Sequence, residues 1–277
     1  MLNVVLRTCD AHSLQSTRIV NKSECILRCL NSIINNLESI ESKTLYIIDD
    51  NSSEEFKQKL IGLTENFPYI QLNFLPKIDK SNLSPKKKTR YSLQVALDYI
   101  YELPKENLVY LVEDDYLHLP NSIQELISTH KYLSDITKTD VGIFPQDFNQ
   151  LYYYPEFPHN ETYFKPCLVV PTEKRYYRTT WFTQESFMVK SETFKKYKSE
   201  FDSLLTIGDN DYNWEGNTIS NIWTRSDFNM FMPMGSLVVH MSNKMDIPFF
   251  FSKDDVIKLW EENKTFLSSE QDSLVQL

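Results

Sequence analysis

The sequence predicts an α/β fold with a Rossmann-like, mostly parallel central sheet flanked by helices. The first 120 residues alternate between short apolar segments and longer segments with helical hydrophobic spacing, a pattern typical of parallel strands joined by helices. The short segments are rich in Val, Ile, Leu and Tyr, which is expected for strands covered on both faces. The second half is less regular and contains a long aromatic region, so we expect it to form a mixed half with a different role.

The first half contains four predicted strands and three predicted helices. The strands are 4–6, 45–48, 70–75 and 108–112, and the helices are 23–37, 54–66 and 84–101. Pro85 directly follows Ser84, and proline is favoured at the first position of a helix. Right-handed crossovers through these helices would make the four strands parallel.

The second half contains shorter predicted elements. These are a helix 121–133, a strand 141–144, an aromatic loop or hairpin 152–177, a strand 181–189, a helix from Ser191 to 201, a short helix 219–223, a strand 237–240 and a closing helix 256–266. Ser252 and Asp255 fit a capping box before the closing helix. No internal repeat or linker is evident, so we expect one domain over 1–277, with a first half 1–118, a second half 119–245 and a helical tail 246–277.

The most informative stretch is the acidic triplet Glu113-Asp114-Asp115, which directly follows the apolar strand 108–112. Carboxylates are natural ligands for hard divalent cations such as Mg²⁺, and burying three of them without partners is costly. Open α/β sheets bind ligands at the carboxyl ends of their strands. The triplet therefore indicates either a metal-dependent ligand site or an acidic strand-to-loop turn without metal.

Composition and charge exclude several classes of function. The formal net charge is −9, which argues against nonspecific nucleic-acid binding. The four cysteines show no zinc-site spacing and are expected to be reduced. We see no signal peptide and no apolar run of transmembrane length, so the sequence favours a cytoplasmic protein without a transmembrane segment.

Four segments resemble the GT-A glycosyltransferases, especially the family 2-like group that uses nucleotide-sugar donors. They are the opening strand and turn 4–10, the turn 47–53 with its Asp-Asp pair, the strand and acidic triplet 111–115, and the segment 186–194. The group's usual glycine after the Asp-Asp pair is Asn51 here, a residue that tolerates left-handed backbone conformations. The resemblance implies transfer of a sugar from a nucleotide-sugar, most simply a UDP- or GDP-sugar, to a hydroxyl of a glycan or glycoconjugate.

The resemblance also implies roles for individual residues. Mn²⁺ or Mg²⁺ would be held by Glu113 and Asp115, with His240 as a late ligand whose alternative is a purely structural role. The nucleotide-sugar would be bound by the following residues: Thr8, Asp10, Asp50, Arg90 and Asp114. For the turn 49–51, the alternative to nucleotide binding is a simple Asx turn.

An inverting enzyme would need a general base for the acceptor hydroxyl, and the candidates are Asp211 and Glu215, followed by Asp209. A retaining enzyme would not need this base. Trp181 and Trp214 are the candidate acceptor-stacking residues, and Tyr176 and Tyr177 offer further aromatic faces.

Two other functions remain open from the sequence. A sugar nucleotidyltransferase would usually carry a glycine-rich phosphate loop near its N-terminus, and residues 7–16 contain no glycine. A noncatalytic glycan- or partner-binding module with the same fold would have lost metal and nucleotide binding.

Overall fold

The structure is a computed structural model that describes residues 1–10, 21–77, 85–148, 167–206, 215–216, 218–241, 248 and 250–268, with the backbone alone for 85–88. Its strands are β1 (Leu2–Thr8), β2 (Lys43–Asp49), β3 (Ile70–Phe74), β4 (Leu108–Glu113), β5 (Tyr116–His118), β6 (Asp140–Ile143), β7 (Val169–Pro171), β8 (Tyr176–Thr179), β9 (Phe187–Lys190), β10 (Phe228–Pro233) and β11 (Val238–His240). Its helices are α1 (Lys22–Leu37), α2 (Glu54–Thr64), α3 (Pro85–Glu102), α4 (Ser122–Thr137), α5 (Ser191–Lys196), α6 (Lys198–Ser203), α7 (Ser220–Trp223) and α8 (Lys253–Glu262).

Nine of these strands form one sheet in the order β3-β2-β1-β4-β9-β6-β10-β8-β7. β3, β2, β1 and β4 are mutually parallel, as are β6 and β10. β9 runs antiparallel to its neighbours β4 and β6, and β8 runs antiparallel to β10 and β7. Most strands therefore share one direction, which confirms the predicted α/β class with a mostly parallel central sheet and a mixed second half.

Both faces of the sheet are covered because alternate residues of each central strand enter different hydrophobic cores. In β1, Val4 and Leu6 pack in a core with α1, α2 and α4, whereas Val5 packs in a core with α3. The same division applies to Tyr110 and Leu111 of β4. The continuous apolar run of β4 reflects this burial on both sides.

A small second sheet brings the late strand β11 back to the acidic triplet. β5 and β11 are antiparallel, with Tyr116 opposite His240. The backbone N–H of Met241 donates to the carbonyl of Asp115 over 2.8 Å. The late strand that was predicted at 237–240 therefore lies beside the acidic triplet rather than in the main sheet.

The closing helix α8 packs on α1. Trp260 is fully buried, and its carbonyl accepts a hydrogen bond of 2.7 Å from the buried Arg28 of α1. The guanidinium of Arg28 also lies 4.4 Å from the Trp260 ring centroid and pairs with Glu24 at 2.5 Å. The predicted Ser252–Asp255 capping box is present at the start of this helix.

Several predicted boundaries in the second half are wrong. The strand predicted at 181–189 covers only Phe187–Lys190, because the preceding residues form an irregular segment. The helix predicted from Ser191 to 201 breaks at Tyr197 (φ −112°, ψ 36°), and Ser191 makes no side-chain cap. α8 ends at Glu262 rather than 266, where the Asn263 amide bonds the Leu259 carbonyl.

The strand β10 was not predicted. Five of its six residues are buried, so it shows no period-2 alternation, and it contains two methionines and a terminal proline, which are weak strand signals. It pairs with β6 and β8 inside the sheet. The end of the predicted aromatic region forms the β7–β8 hairpin, while residues 149–166 lie outside the described part of the chain. Within the described ranges, none of the helices has the length and apolar character needed to cross a membrane.

Candidate functional site at the carboxyl edge of the sheet

The polar turns after β1, β2 and β4 meet at one edge of the sheet because these strands are adjacent and in parallel register. Thr8 lies opposite Asp49, and Arg7 lies opposite Glu113. The segments were identified separately in the sequence, and the register places their side chains together. This edge is where open α/β sheets bind ligands.

The turn after β2 is organised by Asp49. Its carboxylate accepts hydrogen bonds from the Ser52 backbone N–H at 3.2 Å, the Ser52 hydroxyl at 2.5 Å and the Thr8 hydroxyl at 3.1 Å. Burial raises the pKa of the Asp49 carboxyl, and the bonds from Ser52 and Thr8 act in the opposite direction. Asn51 has a φ of 67°, a left-handed backbone conformation that asparagine tolerates better than most residues. Asp49 therefore shapes this turn through its side chain, by a bond to the backbone three residues on rather than the two-residue bond of an Asx turn.

The three nucleotide-binding candidates in this region have different environments. Thr8 is 2% exposed, and its hydroxyl is committed to Asp49. Asp10 accepts from the backbone N–H of Ser53 at 2.9 Å and from its hydroxyl at 2.5 Å, which ties the β1 turn to the β2 turn. Asp50 is buried, and its backbone N–H donates to the Thr8 carbonyl at 2.8 Å. The structure brings all three to the same edge.

Asp114 joins the β4 turn to β1 and α1. Its carboxylate accepts from the Cys9 backbone N–H at 3.1 Å and forms an ion pair with Lys22, the first residue of α1. Lys22 was not among the sequence candidates. The lysine adds a positive charge to this acidic edge of the sheet.

Glu113 projects to the face of the sheet covered by α3, together with Arg7 and Glu185. Arg7 forms an ion pair with Glu185, and the hydroxyl of Ser186 accepts a 3.0 Å hydrogen bond from the Glu113 backbone N–H. Burial, followed by the negative charges of Asp115 and Glu185, raises the pKa of Glu113 to about 8. Arg7 and His240 partly offset this rise.

Two of the predicted metal ligands, Asp115 and His240, lie against each other. His240 Nε2 lies 3.4 Å from Asp115 Oδ1, and each side chain is 10% exposed. The His240 ring stacks on the Tyr116 ring, with centroids 4.6 Å apart. The pairing of β5 with β11 and the bond from Met241 to Asp115 hold this arrangement in place.

The chemistry and spacing of this pair suit a divalent cation. In octahedral Mg²⁺ coordination, with bonds of about 2.0–2.1 Å, adjacent donor atoms lie roughly 3 Å apart. Among the described residues, no group of three or more His, Cys, Asp or Glu side chains is arranged to hold a metal. Mg²⁺ sites often use only one or two carboxylates and take further oxygen donors from substrate phosphates and water. Asp115 would supply one carboxylate to such a site and His240 an imidazole nitrogen beside it, whereas Glu113 is not grouped with them to hold the same ion.

Arg90, the predicted diphosphate contact, lies near the start of α3 and is half-buried. Arg7 Nη1 approaches the carbonyl of the preceding residue, Thr89, at 3.4 Å. The start of α3 therefore lies above the same edge of the sheet, on the side of Glu113.

The catalytic-base and acceptor candidates fall mostly outside the described residues. Asp209, Asp211 and Trp214 lie in that part of the chain, whereas Glu215 and Trp181 are described and half-buried. The Glu215 carbonyl accepts from Ser220 N at 3.0 Å, just before α7. Tyr176 is 58% exposed, but Tyr177 is fully buried and donates to Glu125 at 3.0 Å, so Tyr177 offers no face to a sugar.

The structure adds Arg7, Lys22 and the segment 184–186 to the candidate site. Arg7 and Ser186 lie in the segments 4–10 and 186–194 that carried the resemblance, but neither was assigned a role. Lys22 is an isolated charge, and Glu185 lies in a stretch predicted as strand. One signal that could have identified Glu185 and Ser186 is their position in the chain. Glu185 and Ser186 immediately precede β9, which pairs with the strand that ends in the triplet.

Comparison with known proteins gave matches only among solved structures. No family model and no curated protein matches the chain. Residues 1–349 of S. aureus TarS share 13% identity at a TM-score of 0.44, over 83% of this chain and 59% of that one. The chain thus spans less than two thirds of that structure.

Two further solved structures are described as glycosyltransferases. The galactosyltransferase LgtC, in complex with donor and acceptor sugar analogs, matches at 10% identity and a TM-score of 0.43, over 82% of this chain and 72% of that one. The mannosyltransferase PcManGT from Pyrobaculum calidifontis, in complex with GDP-Man and Mn²⁺, matches at 12% identity and a TM-score of 0.43, over 70% and 46%. At such identities and scores these structures do not assign an activity to this chain.

Proposed function

We propose that this protein is a glycosyltransferase that moves a sugar from a nucleotide-sugar, a UDP- or GDP-sugar, to a hydroxyl of a glycan or glycoconjugate with the help of Mn²⁺ or Mg²⁺. The observation that supports this most strongly is the position of the Asp115–His240 pair. Asp115 Oδ1 and His240 Nε2 lie 3.4 Å apart at the carboxyl edge of the sheet, beside the turns after β1 and β2. That position would put a cation next to a nucleotide diphosphate.

Each part of the edge has a distinct task in this proposal. Asp115 and His240 would hold the cation, with water and the diphosphate supplying the other donors, and a bound divalent cation stabilises the charge that builds up on a departing diphosphate. Asp10 and Asp50 would contact the nucleoside, and Thr8 would act through Asp49 by fixing the shape of the turn. Asp114 would face the ribose while Lys22 and Cys9 orient its carboxylate.

The acceptor side is proposed from fewer observations. Trp181 and Trp214 would stack against the acceptor. An acid among Asp211, Glu215 and Asp209 would accept the proton of the acceptor hydroxyl if the reaction inverts configuration. For a retaining reaction, mutation of these acids to the corresponding amides would leave turnover largely intact, which makes the amide variants a test of stereochemical class.

The first experiment is a thermal-shift panel of UDP-, GDP-, CMP- and dTDP-linked sugars, each with and without Mn²⁺. We expect one nucleotide-sugar to raise the melting temperature of the wild type only when Mn²⁺ is present. Asp115→Ala should abolish that shift because it removes a carboxylate ligand of the ion. Asp135→Ala, which removes an exposed carboxylate from the last turn of α4, is the matched control and should retain the shift.

Three results would contradict the proposal in different ways. If no nucleotide-sugar stabilises the wild type, a noncatalytic binding module becomes the better description. If the shift persists in Asp115→Ala, the nucleotide-sugar binds without the proposed metal site. If a sugar phosphate and a nucleoside triphosphate bind together and release diphosphate, the protein is a sugar nucleotidyltransferase.

A further inference from the structure

The segment Gln184-Glu185-Ser186, just before β9, is attached to the acidic edge by three consecutive side chains. The Gln184 amide oxygen accepts from the Tyr116 hydroxyl, Glu185 pairs with Arg7, and the Ser186 hydroxyl accepts from the Glu113 backbone N–H at 3.0 Å. These contacts reach β5, β1 and β4 in turn. The segment is therefore held rigidly against the candidate site, which is the condition for precise ligand contacts.

Glu185 has hydrogen-bonding capacity left over in this rigid setting. Its side chain is only 4% exposed, and Oε2 pairs with Arg7. Oε1 is buried and has no hydrogen-bond partner in the described structure. A buried carboxylate oxygen without a donor is costly, so such atoms in native proteins usually await a ligand, an ion or a water molecule.

Arg7 decides which kind of ligand suits this oxygen. Its guanidinium already compensates the charge of Glu185, and a second cation at this position would be repelled by it. A neutral donor such as a hydroxyl carries no such penalty and gains a charge-assisted hydrogen bond. The proposed cation ligands Asp115 and His240 form a separate pair at the same edge of the sheet.

We propose that Glu185 Oε1 accepts a hydrogen bond from a hydroxyl of the sugar carried by the nucleotide donor, so that Glu185 selects the donor sugar and Arg7 positions Glu185. This inference rests on the proposed function and extends it to the recognition of the sugar. Glu185 lies one residue from Ser186, which bonds the Glu113 backbone, so the sugar would lie beside the cation and its diphosphate.

The test compares a nucleotide-sugar with its nucleoside diphosphate, each binding to wild type and to Glu185→Gln in the presence of Mn²⁺. The probe is the nucleotide-sugar that most stabilises the wild type in the panel, measured by calorimetric titration without acceptor. We expect Glu185→Gln to weaken binding of the nucleotide-sugar about tenfold or more, because a hydrogen bond to a charged group is lost. Binding of the nucleoside diphosphate should stay within about twofold, because that ligand lacks the sugar.

Two further variants keep the result interpretable. Glu192→Gln removes an exposed carboxylate in α5 and should bind both ligands like wild type. Glu185→Asp retains the charge while shortening the side chain, and it replaces Glu185→Gln if the amide variant fails to fold. Thermal unfolding without ligand establishes the folding of each variant.

Specific outcomes would overturn the inference. Equal binding of the nucleotide-sugar by wild type and Glu185→Gln would remove Glu185 from donor recognition while leaving the proposed function intact. A tenfold loss of affinity for Mn²⁺ alone would make Glu185 a cation ligand. No nucleotide-sugar binding by the wild type would overturn the proposed function, and this inference with it.

Discussion

At the scale of single residues, the carboxylates along this edge differ in the partners that their oxygens already have. Asp49 receives three hydrogen bonds from Thr8 and Ser52, so its oxygens are largely used within the protein. Asp115 instead faces His240 at 3.4 Å, and Glu185 retains an oxygen without a hydrogen-bond partner in the described structure. The first arrangement shapes a turn, whereas the latter two suit ligand contacts.

His240 provides a test at this scale, because its stacking and its ring nitrogen can be separated. His240→Phe would retain an aromatic ring against Tyr116 while removing the nitrogen that faces Asp115. We expect the Mn²⁺ concentration needed for stabilisation by the nucleotide-sugar to rise by at least roughly 10- to 100-fold, the range found when even an outer-shell partner of a metal ligand is lost. The melting temperature without metal should change little. An unchanged Mn²⁺ requirement would show that His240 is structural.

At the scale of elements, the strands around β6 leave very little room. A Cβ added at Gly142 of β6 would lie 2.6 Å from Met230 Cε in β10 and 2.9 Å from Val189 Cγ1 in β9. The close contact of these three strands therefore depends on the missing side chain. At Gly62 in α2, by contrast, an added Cβ meets nothing within 4 Å.

These two glycines predict opposite results for the same substitution. Gly142→Ala should lower the free energy of unfolding by about 1–3 kcal/mol, because Met230 and Val189 must move. Gly62→Ala should raise it by roughly 0.5–1 kcal/mol, because alanine is the better residue in a helix. Urea denaturation of both variants beside wild type measures the two changes. Stabilisation by Gly142→Ala would contradict the close packing of β6 against β9 and β10.

At the scale of the whole molecule, two buried histidines make stability depend on pH: His118 joins the small sheet to the main sheet, and His130 joins α4 to the main sheet. His118 Nδ1 lies 3.0 Å from the Tyr116 carbonyl and Nε2 lies 2.8 Å from the Tyr110 hydroxyl, while His130 Nε2 lies 3.1 Å from the Val141 carbonyl. Burial lowers the pKa of each from 6.5 to about 4, and the charge of Lys190 also lowers that of His130. Both are therefore neutral in the folded protein at neutral pH.

The lowered pKa values set the sign of the pH effect. Between pH 6.5 and 4 the unfolded chain binds protons that the folded protein does not, so stability is present above pH 6.5 and falls as the pH falls. Each histidine should contribute a loss of about 1–2 kcal/mol between about pH 7 and pH 5. His130→Gln keeps an N–H donor for Val141 and removes the titrating group, so its stability should fall less over this range. Urea denaturation at both pH values tests this, and identical losses in variant and wild type would contradict it.

The local sequence was most informative where a single property decides an element. The hydrophobic patterns of β1 to β4 and α1 to α3 follow from burial of the strands on both faces and of the helices on one, and the Ser252–Asp255 capping box depends on neighbouring residues alone. β10 escaped detection because its burial removes the alternation that marks a half-exposed strand. Tyr197 interrupts α5 and α6 in a stretch whose composition is helical throughout.

For the candidate site, the sequence by itself determined the acidic triplet, the turn after β2 with its left-handed Asn51, and the parallel strands that carry both. These features follow from local preferences and from hydrophobic periodicity. Only the tertiary structure decided that His240 faces Asp115, that Lys22 pairs with Asp114, and that Glu185 pairs with Arg7 close enough to Glu113 to raise its pKa. The physical reason is that strand order and register connect residues up to 178 positions apart, and no local pattern of residues encodes which strands become neighbours.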